Sequence, residues 1–208
     1  MKIAILGTGH VGSALGANWA AGGREVIFGS RDPQADKAKE LAQRTGAAVV
    51  SVSEAAAAAE ICLLASPWSA VAEILQSVAS WEGKTLIDCI NPINAQFSGL
   101  ETTGGPSASE QIAAWAPQAK VVKAFNTLSA AVMADADFAG ERAAAFYCGD
   151  DEAAKEQVRE LAEAIGLQPV DVGPHKNAQY MEAAGWLYIQ AAIHGKREKH
   201  AAMKLLKR

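Results

Sequence analysis

The chain is expected to fold as an α/β protein, a doubly wound and mostly parallel sheet flanked by helices, with a C-terminal helical extension. Three features of the sequence predict this. Apolar runs of strand length recur along the 208 residues with helical stretches between them, which is the alternation that builds a parallel sheet covered on both faces. The first of these runs leads directly into a glycine-rich turn, Gly7-Thr8-Gly9-His10-Val11-Gly12. Neither an internal repeat nor a flexible linker interrupts the rhythm, so residues 1–208 are expected to form one domain that includes the last helix.

The elements follow in order. A strand is placed at Lys2–Leu6 and a helix at Val11–Ala21, then a strand at Glu25–Gly29, a helix at Gln34–Thr45 and a short strand at Ala48–Val50. The alanine run Ala55–Ala59 lies between Ser53 and the next apolar run and reads as a short helix rather than as low complexity. Strands at Ile61–Ala65 and Thr85–Asp88 flank a helix at Ser69–Ser80, which Pro67 introduces. A helix at Ser107–Trp115 follows Pro106, and strands are placed at Lys120–Ala124, Ala143–Cys148 and Gln168–Val172. The helix Glu152–Ile165 precedes the last of these, with Gly166 just past its end where a left-handed residue is favoured. After Pro174, the segment Asn177–Gly195 carries Met181, Trp186, Leu187, Ile189 and Ile193, enough for a helix that closes the sheet or packs on a second copy of the chain. The Gly-, Ser- and Thr-rich stretch Gln96–Pro106 is expected as a surface loop close to a ligand.

Composition narrows the function classes. Half of the residues are hydrophobic, 20% are charged and the net charge is −4, the profile of an ordinary globular protein. Nothing approaches the 20 or so apolar residues that span a bilayer, and MKIAILGTG reads as a strand and turn rather than a signal peptide. No membrane association and a cytoplasmic location are expected. Cys62, Cys89 and Cys148 are odd in number and widely spaced, so neither a disulfide framework nor a metal motif is indicated; Cys62 and Cys148 read as small buried hydrophobes. His175, His194 and His200 show no metal-ligand spacing. The tail from Lys196 to His200, with Lys204, Lys207 and Arg208, is basic but holds an acid and no aromatic platform, and reads as a solvated helix end rather than a nucleic-acid site.

The chemistry sits at the strand ends. Gly7 permits a tight turn, Gly9 lets the main chain approach a pyrophosphate, and Gly12 allows close helix-to-strand packing, the Rossmann fingerprint in its full strand–turn–helix context. Gly7, Thr8, Gly9, His10, Val11 and Gly12 are therefore the candidate pyrophosphate site, facing the free amides of a helix N-terminus. His10 is read as a phosphate neighbour rather than a base. An NAD site ends its second strand with an acid for the ribose 2′-hydroxyl. Here the strand ends Phe28-Gly29-Ser30-Arg31, so Arg31, with a hydroxyl from Ser30, is expected to hold the 2′-phosphate of NADP(H). The competing reading pairs Arg31 with Asp32, and Lys37 is either a further cation or a surface lysine.

At the same carboxyl edge lie Ala65-Ser66-Pro67-Trp68, Asn91-Pro92 and Lys123-Ala124-Phe125-Asn126-Thr127. Ala65, Ser66, Pro67 and Trp68 are expected beside the nicotinamide, with Trp68 either covering the ring or packing. Asn91 and Pro92 are expected at the same site, Asn126 and Thr127 are expected to hydrogen-bond a ring, and Lys123 is either functional or an ordinary strand lysine. No proton-donating Tyr–Lys pair is present, since Tyr180 is followed by Ala184 at that spacing. Hydride transfer between stacked redox rings needs no protein acid, so a ring-to-ring transfer is favoured and no catalytic side chain is assigned.

These residues carry a resemblance. GTGHVG at Gly7–Gly12, GSR at Gly29–Arg31, SPW at Ser66–Trp68 and KAFNT at Lys123–Thr127 resemble the NADPH-dependent reductases of the deazaflavin coenzyme F420 and the oxidoreductase domain of the six-transmembrane ferric reductases. The resemblance implies that Ser30 and Arg31 bind the 2′-phosphate and that a flavin-type ring, F420, FMN or FAD, stacks on the nicotinamide. Where that pattern places a lysine five positions after the serine, Ala35 stands here, which loads the phosphate selectivity onto Arg31. Heme and membrane electron transfer are not implied. The expected function is thus an NADPH-dependent oxidoreductase acting on a small-molecule redox acceptor. Its alternatives are a non-catalytic NADPH sensor or a reductase of small imines or hydroxy acids. The apolar residues around Trp186 and Ile193 suggest a homodimer.

Overall fold

The computed structural model describes residues 1–193 and 200–206. The strands are β1 (Lys2–Leu6), β2 (Glu25–Ser30), β3 (Ala48–Ser51), β4 (Ile61–Leu64), β5 (Thr85–Asp88), β6 (Lys120–Ala124), β7 (Ala144–Gly149) and β8 (Gln168–Asp171). The helices are α1 (His10–Ala21), α2 (Asp36–Thr45), α3 (Val52–Ala57), α4 (Val71–Gln76), α5 (Ala108–Trp115), α6 (Ala130–Ala134), α7 (Glu152–Glu163) and α8 (Ala178–Ile193). Every expected strand is present within a residue or two of its expected bounds.

One sheet holds the strands in the order β3-β2-β1-β4-β5-β6-β7-β8. β1 to β6 are mutually parallel, β7 pairs with β6 antiparallel, and β8 is parallel to β7. Successive residues of β1 alternate between two cores. Ile3 and Ile5 pack with Leu15, Trp19, Val158 and Leu161 on one face, whereas Ala4 and Leu6 pack with Val71, Leu75 and Ile112 on the other. Each such Leu or Ile contributes about 1.5–3 kcal/mol by leaving water. Both faces are covered, which is why the strands are apolar throughout rather than alternating.

The helix starts are written locally. Ser51 with Glu54 and Ser107 with Glu110 form complete capping boxes on α3 and α5. Asp151 caps α7, Ser129 caps α6, and Gly46 ends α2 with φ +68°. Two expectations are corrected here. The helix after Pro67 is a 3-10 turn over Trp68–Ala70 followed by α4, which stops at Gln76 because Ser77 Oγ and Trp81 Nε1 bond the carbonyls of Ile74 and Leu75. The loop Gln96–Pro106 folds on itself through Ile93 and Leu100, and Thr102 reaches α8; it lines neither of the cavities described below.

α8 closes the carboxyl edge of the sheet. Met181, Glu182, Gly185 and Tyr188 face the protein, whereas Tyr180 and Leu187 are exposed. Residues 194–199 and 207–208, which include His194 and most of the basic tail, lie outside the described residues. His200 is exposed and Lys204 pairs with Glu141. Among the described residues no helix is long and apolar enough to cross a membrane.

Candidate functional site

Two cavities open at the carboxyl ends of the strands. The smaller, about 580 Å³, lies between the turn after β1, the end of β2 and the start of the segment after β4. Gly7 has φ +131°, and a Cβ there would stand 2.3 Å from the Ala65 carbonyl; both conformation and space demand glycine. A Cβ at Gly12 would stand 2.5 Å from the Gly7 carbonyl and 2.9 Å from Ile5, so α1 lies against β1 as closely as its backbone permits. At Gly9 the nearest atom is 3.9 Å away, and that direction opens into the cavity. No side chain caps α1, whose first amides are left for an anion.

Ser30, Arg31 and Lys37 line the same cavity. Arg31 is exposed and makes no ion pair among the described residues, so the pairing with Asp32 is not seen; the Asp32 carboxylate instead accepts from the Gln34 amide. Ser30 Oγ donates to the Asp32 carbonyl and accepts from the Asp32 amide. Its hydroxyl therefore shapes the turn, and Arg31 and Lys37 are the cations at this end, beside Asp32, none of the three in an ion pair among the described residues. Ala65 and Ser66 form the facing wall, where Ser66 Oγ bonds the Leu6 carbonyl at 2.9 Å and ties the end of β4 to that of β1.

The larger cavity, about 840 Å³, lies beyond the turn. Its walls are Val11, Ala14 and Ala17 of α1, Leu128 and Ala131 after β6, and Ile189 of α8. The glycine turn passes from one cavity to the other between Gly9 and His10. Among the described residues, His10 and Arg44 are its only charged or titratable lining groups besides Tyr188, whose hydroxyl donates to the Ala201 carbonyl and accepts from the Ser129 amide. Asn91 and Asn126 stand at its inner end. Asn91 Nδ2 donates to the Asn126 carbonyl, and Asn126 Nδ2 donates to Asn91 Oδ1 and to the Met181 carbonyl of α8. Asn126 Oδ1 and Thr127 Oγ1 are buried without a partner among the described residues, and Thr127, expected at a ring, lines neither cavity.

Beneath this pair lies a buried charge network. Lys123 Nζ stands 2.9 Å from Asp88 and 3.3 Å from Glu182, all three side chains being sealed from solvent. Glu182 also accepts from the amides of Ala108 and Ser109 at the start of α5. Burial pulls the Lys123 ammonium down, but the Asp88 and Glu182 carboxylates more than offset this and hold its pKa above the ordinary value. The three cysteines are buried, and desolvation pushes the thiols of Cys62 and Cys148 up to about 12, leaving them without nucleophilic character. No cluster of three or more potential metal ligands occurs among the described residues.

The family model for NADP oxidoreductases that depend on coenzyme F420 matches residues 2–92. The F420-dependent NADP reductase of Methanothermobacter marburgensis is 34% identical over 210 residues, covering 93% of this chain and 93% of that one. The chain belongs to this family. With it, the chain is an NADP-dependent oxidoreductase. A solved structure of a candidate F420-dependent NADP reductase from Arthrobacter sp. FB24 superposes with a TM-score of 0.86 at 30% identity, over 95% of this chain and 96% of that one. The rat metalloreductase STEAP3 is 32% identical over 187 residues, and the chain spans 36% of its length.

Within this F420-dependent reductase framework, not every expected residue meets a cavity. Gly7, Thr8, Gly9, Ser30, Arg31, Ala65, Ser66 and Pro67 line the smaller one, and His10, Val11, Asn91 and Asn126 the larger. His10 lines the larger cavity, at the point where the turn passes from one cavity to the other. Trp68 lines neither cavity; it stacks on Trp115 with centroids 5.5 Å apart, a packing role. Pro92 is buried with its carbonyl accepting from the Glu101 amide, and Gly12 acts through packing. Sequence reasoning did not name Tyr188 or Leu128, and it named Ile189 only as an apolar residue of the last helix. Gly185 inside a helical pattern was the one signal available for this wall, because a mid-helix glycine marks a close approach.

Proposed function

We propose that this chain binds NADPH across the two cavities and passes hydride to a flavin-like or F420-type deazaflavin ring held in the larger one. The observation that carries the proposal is the junction of two cavities: one at the end of β2, where the strand ends in Ser30 rather than an acid and Arg31 and Lys37 stand beside Asp32, and an apolar one of about 840 Å³. The residues present fit the dinucleotide: Gly9 leaves open the space that a side chain would fill, and no side chain among the described residues caps the first amides of α1. When bound, the reduced nicotinamide supplies the hydride.

The protein's part is binding, orientation and exclusion of water. Amides of Gly9, His10 and Val11 at the start of α1 hold the pyrophosphate, helped by the partial positive charge of the helix end. Arg31 holds the 2′-phosphate through its planar fork, and Lys37 adds the second cation that Ala35 does not provide. Asn91 and Asn126 fix the ring end. The walls of α1, Leu128 and Ile189 press two planar rings together and keep water from between them, so orientation supplies the rate gain without a protein acid.

The test mixes purified chain and NADPH with F420, FMN, FAD or a quinone in turn and follows the loss of nicotinamide absorbance. Turnover is expected with a deazaflavin or flavin and to be much slower with NADH. Absence of turnover with every acceptor overturns the proposal.

A further inference from the structure

We infer that Arg44 is the anion-binding group of the acceptor site: it holds the negatively charged tail of a flavin-type ring, and the larger cavity thereby prefers rings with an acidic tail over rings without one. The inference rests on the proposed function above and names which members of that acceptor class the site takes.

The larger cavity has a direction. α1 and α2 each connect parallel neighbouring strands, so both run from the carboxyl edge of the sheet back to the opposite edge. Both bury residues in the same core, Leu15 and Trp19 from α1 and Leu41 from α2, which puts the two helices on one face of the sheet. His10 opens α1 at the glycine turn, and Asn18 lies about 12 Å farther along the helix axis. Both residues line the cavity, which is therefore a trough along α1 rather than a pit at the strand ends. Its sides are apolar, with Val11, Ala14 and Ala17 on α1, Ala134 on α6, and Ile189 and Ala192 on α8. Asn18 ties α1 to α6 by donating to the carbonyls of Met133 and Ala134.

Arg44 stands in the last turn of α2, so it lines this trough at the end remote from the glycine turn. It is exposed and its side chain is in no hydrogen bond or ion pair among the described residues, not even with Glu40 one turn earlier. No aspartate or glutamate among the described residues lines the cavity. The smaller cavity sets Asp32 beside its two cations, whereas here a guanidinium meets apolar walls and no acid.

The dinucleotide leaves this cation without a ligand. In the proposed placement its pyrophosphate and 2′-phosphate lie at the glycine turn and the end of β2, and the reduced nicotinamide that enters the larger cavity is uncharged. A second ring stacked near Asn91 and Asn126 leaves the length of α1 to its own substituent. FMN ends a flexible polyol chain in a phosphate, and coenzyme F420 carries an acidic tail on the same chain; riboflavin and the deazaflavin stripped to its ribityl group have no such charge. An apolar trough with a planar, fork-shaped cation at its far end fits the first two.

The chain, saturated with NADP+ so that the smaller cavity is filled, is titrated with FMN against riboflavin and with F420 against its ribityl-only deazaflavin. Binding is read by quenching of ring fluorescence at low ionic strength, where an ion pair near the surface is least screened. In at least one pair the tailed ring is expected to bind about threefold tighter or more, the effect of a charged contact at a partly open site. Arg44→Ala is expected to remove that advantage and Arg31→Ala to leave it; both residues are exposed, so the variants fold. A smaller advantage in both pairs overturns the inference, as does one that Arg44→Ala leaves unchanged or that Arg31→Ala removes. Equal binding within each pair, together with a dimer on size exclusion that Arg44→Glu splits, assigns the trough to a second copy of the chain and overturns it too. Where tailed and tail-less rings bind alike and hydride transfer persists, this inference fails alone; where no ring binds, it falls together with the acceptor reading.

Discussion

Replacing Lys123 by methionine is expected to be among the most destabilising single changes available to this chain. Its ammonium lies 2.9 Å from Asp88, 3.3 Å from Glu182 and 2.9 Å from the Ile90 carbonyl, with no exposed surface. Methionine fills most of the volume, so the loss is electrostatic. Two carboxylates remain buried with no counter-charge, and although Glu182 keeps its two backbone donors and Asp88 keeps the Ile90 amide, breaking a buried pair costs about 3–5 kcal/mol. For a chain of this size that corresponds to a fall in Tm of about 6–20 °C. The folded-state pKa of Lys123 is raised, so its contribution is complete below the ordinary lysine value of 10.5 and is lost only as the pH rises through the folded value. The difference in Tm between wild type and variant is therefore expected to be constant from neutral pH to about pH 10 and to shrink above it. The assay is thermal unfolding followed by circular dichroism across that range. A fall of less than about 3 °C, or a difference that grows with alkalinity, refutes the reasoning.

Other expectations are simpler to state. Arg31→Ala is expected to cost NADPH about 1.5–3 kcal/mol of binding, the worth of a charged hydrogen bond, while NADH affinity stays nearly unchanged; paired titrations with the two dinucleotides check this. Gly185→Ala forces a Cβ to within 2.5 Å of Asn91 Oδ1 and is expected to weaken acceptor binding more than NADPH binding, read from the two KM values in the turnover assay. In acid, bonds from the Ser107 amide and hydroxyl hold the Glu110 carboxyl below its ordinary value of 4.5. Its capping contribution is present above that value and is lost as the pH falls through the folded one, so Ser107→Ala, costing about 1 kcal/mol at neutral pH, is expected to matter less in acid; unfolding by urea at both pH values measures it.

The parts of the fold visible in the sequence are those encoded by neighbours in the chain. Strands such as Ile61–Leu64 and Thr85–Asp88 are apolar throughout because both faces are covered, and a run of that kind is legible by itself. The direction of β7 is not, since a strand looks the same read either way; it is antiparallel to β6 because the chain between them stays at one edge of the sheet and makes no crossover. α6 spans only Ala130–Ala134, too short for a period to emerge, and Ser129 was its sole signal. The glycine turn and Arg31 were legible because the turn's demands on conformation and charge are local. Trp68 was not, because whether a tryptophan covers a ligand or stacks on Trp115 is decided by a residue 47 positions away. Lys123 in an apolar strand stayed ambiguous for the same reason: Asp88 and Glu182 come from distant parts of the chain.

That separation between local and distant determinants maps onto the proposed chemistry. The dinucleotide end is built from the turn after β1 and the end of β2, which pair directly through Leu6 and Gly29. The ring end is built by α8, which is held at three points: Glu182 on the start of α5 and Lys123, the Met181 carbonyl on Asn126, and the Tyr188 hydroxyl on Ser129. Among the described residues none of α8 lines the smaller cavity, and none of β2 lines the larger. The two selectivities therefore rest on different elements with no shared side chain, and substitutions at Arg31 and Gly185 should combine additively in free energy, as independent sites do. A double variant whose loss departs from the sum by more than about 0.5 kcal/mol would show instead that the dinucleotide and the acceptor ring are gripped as one unit.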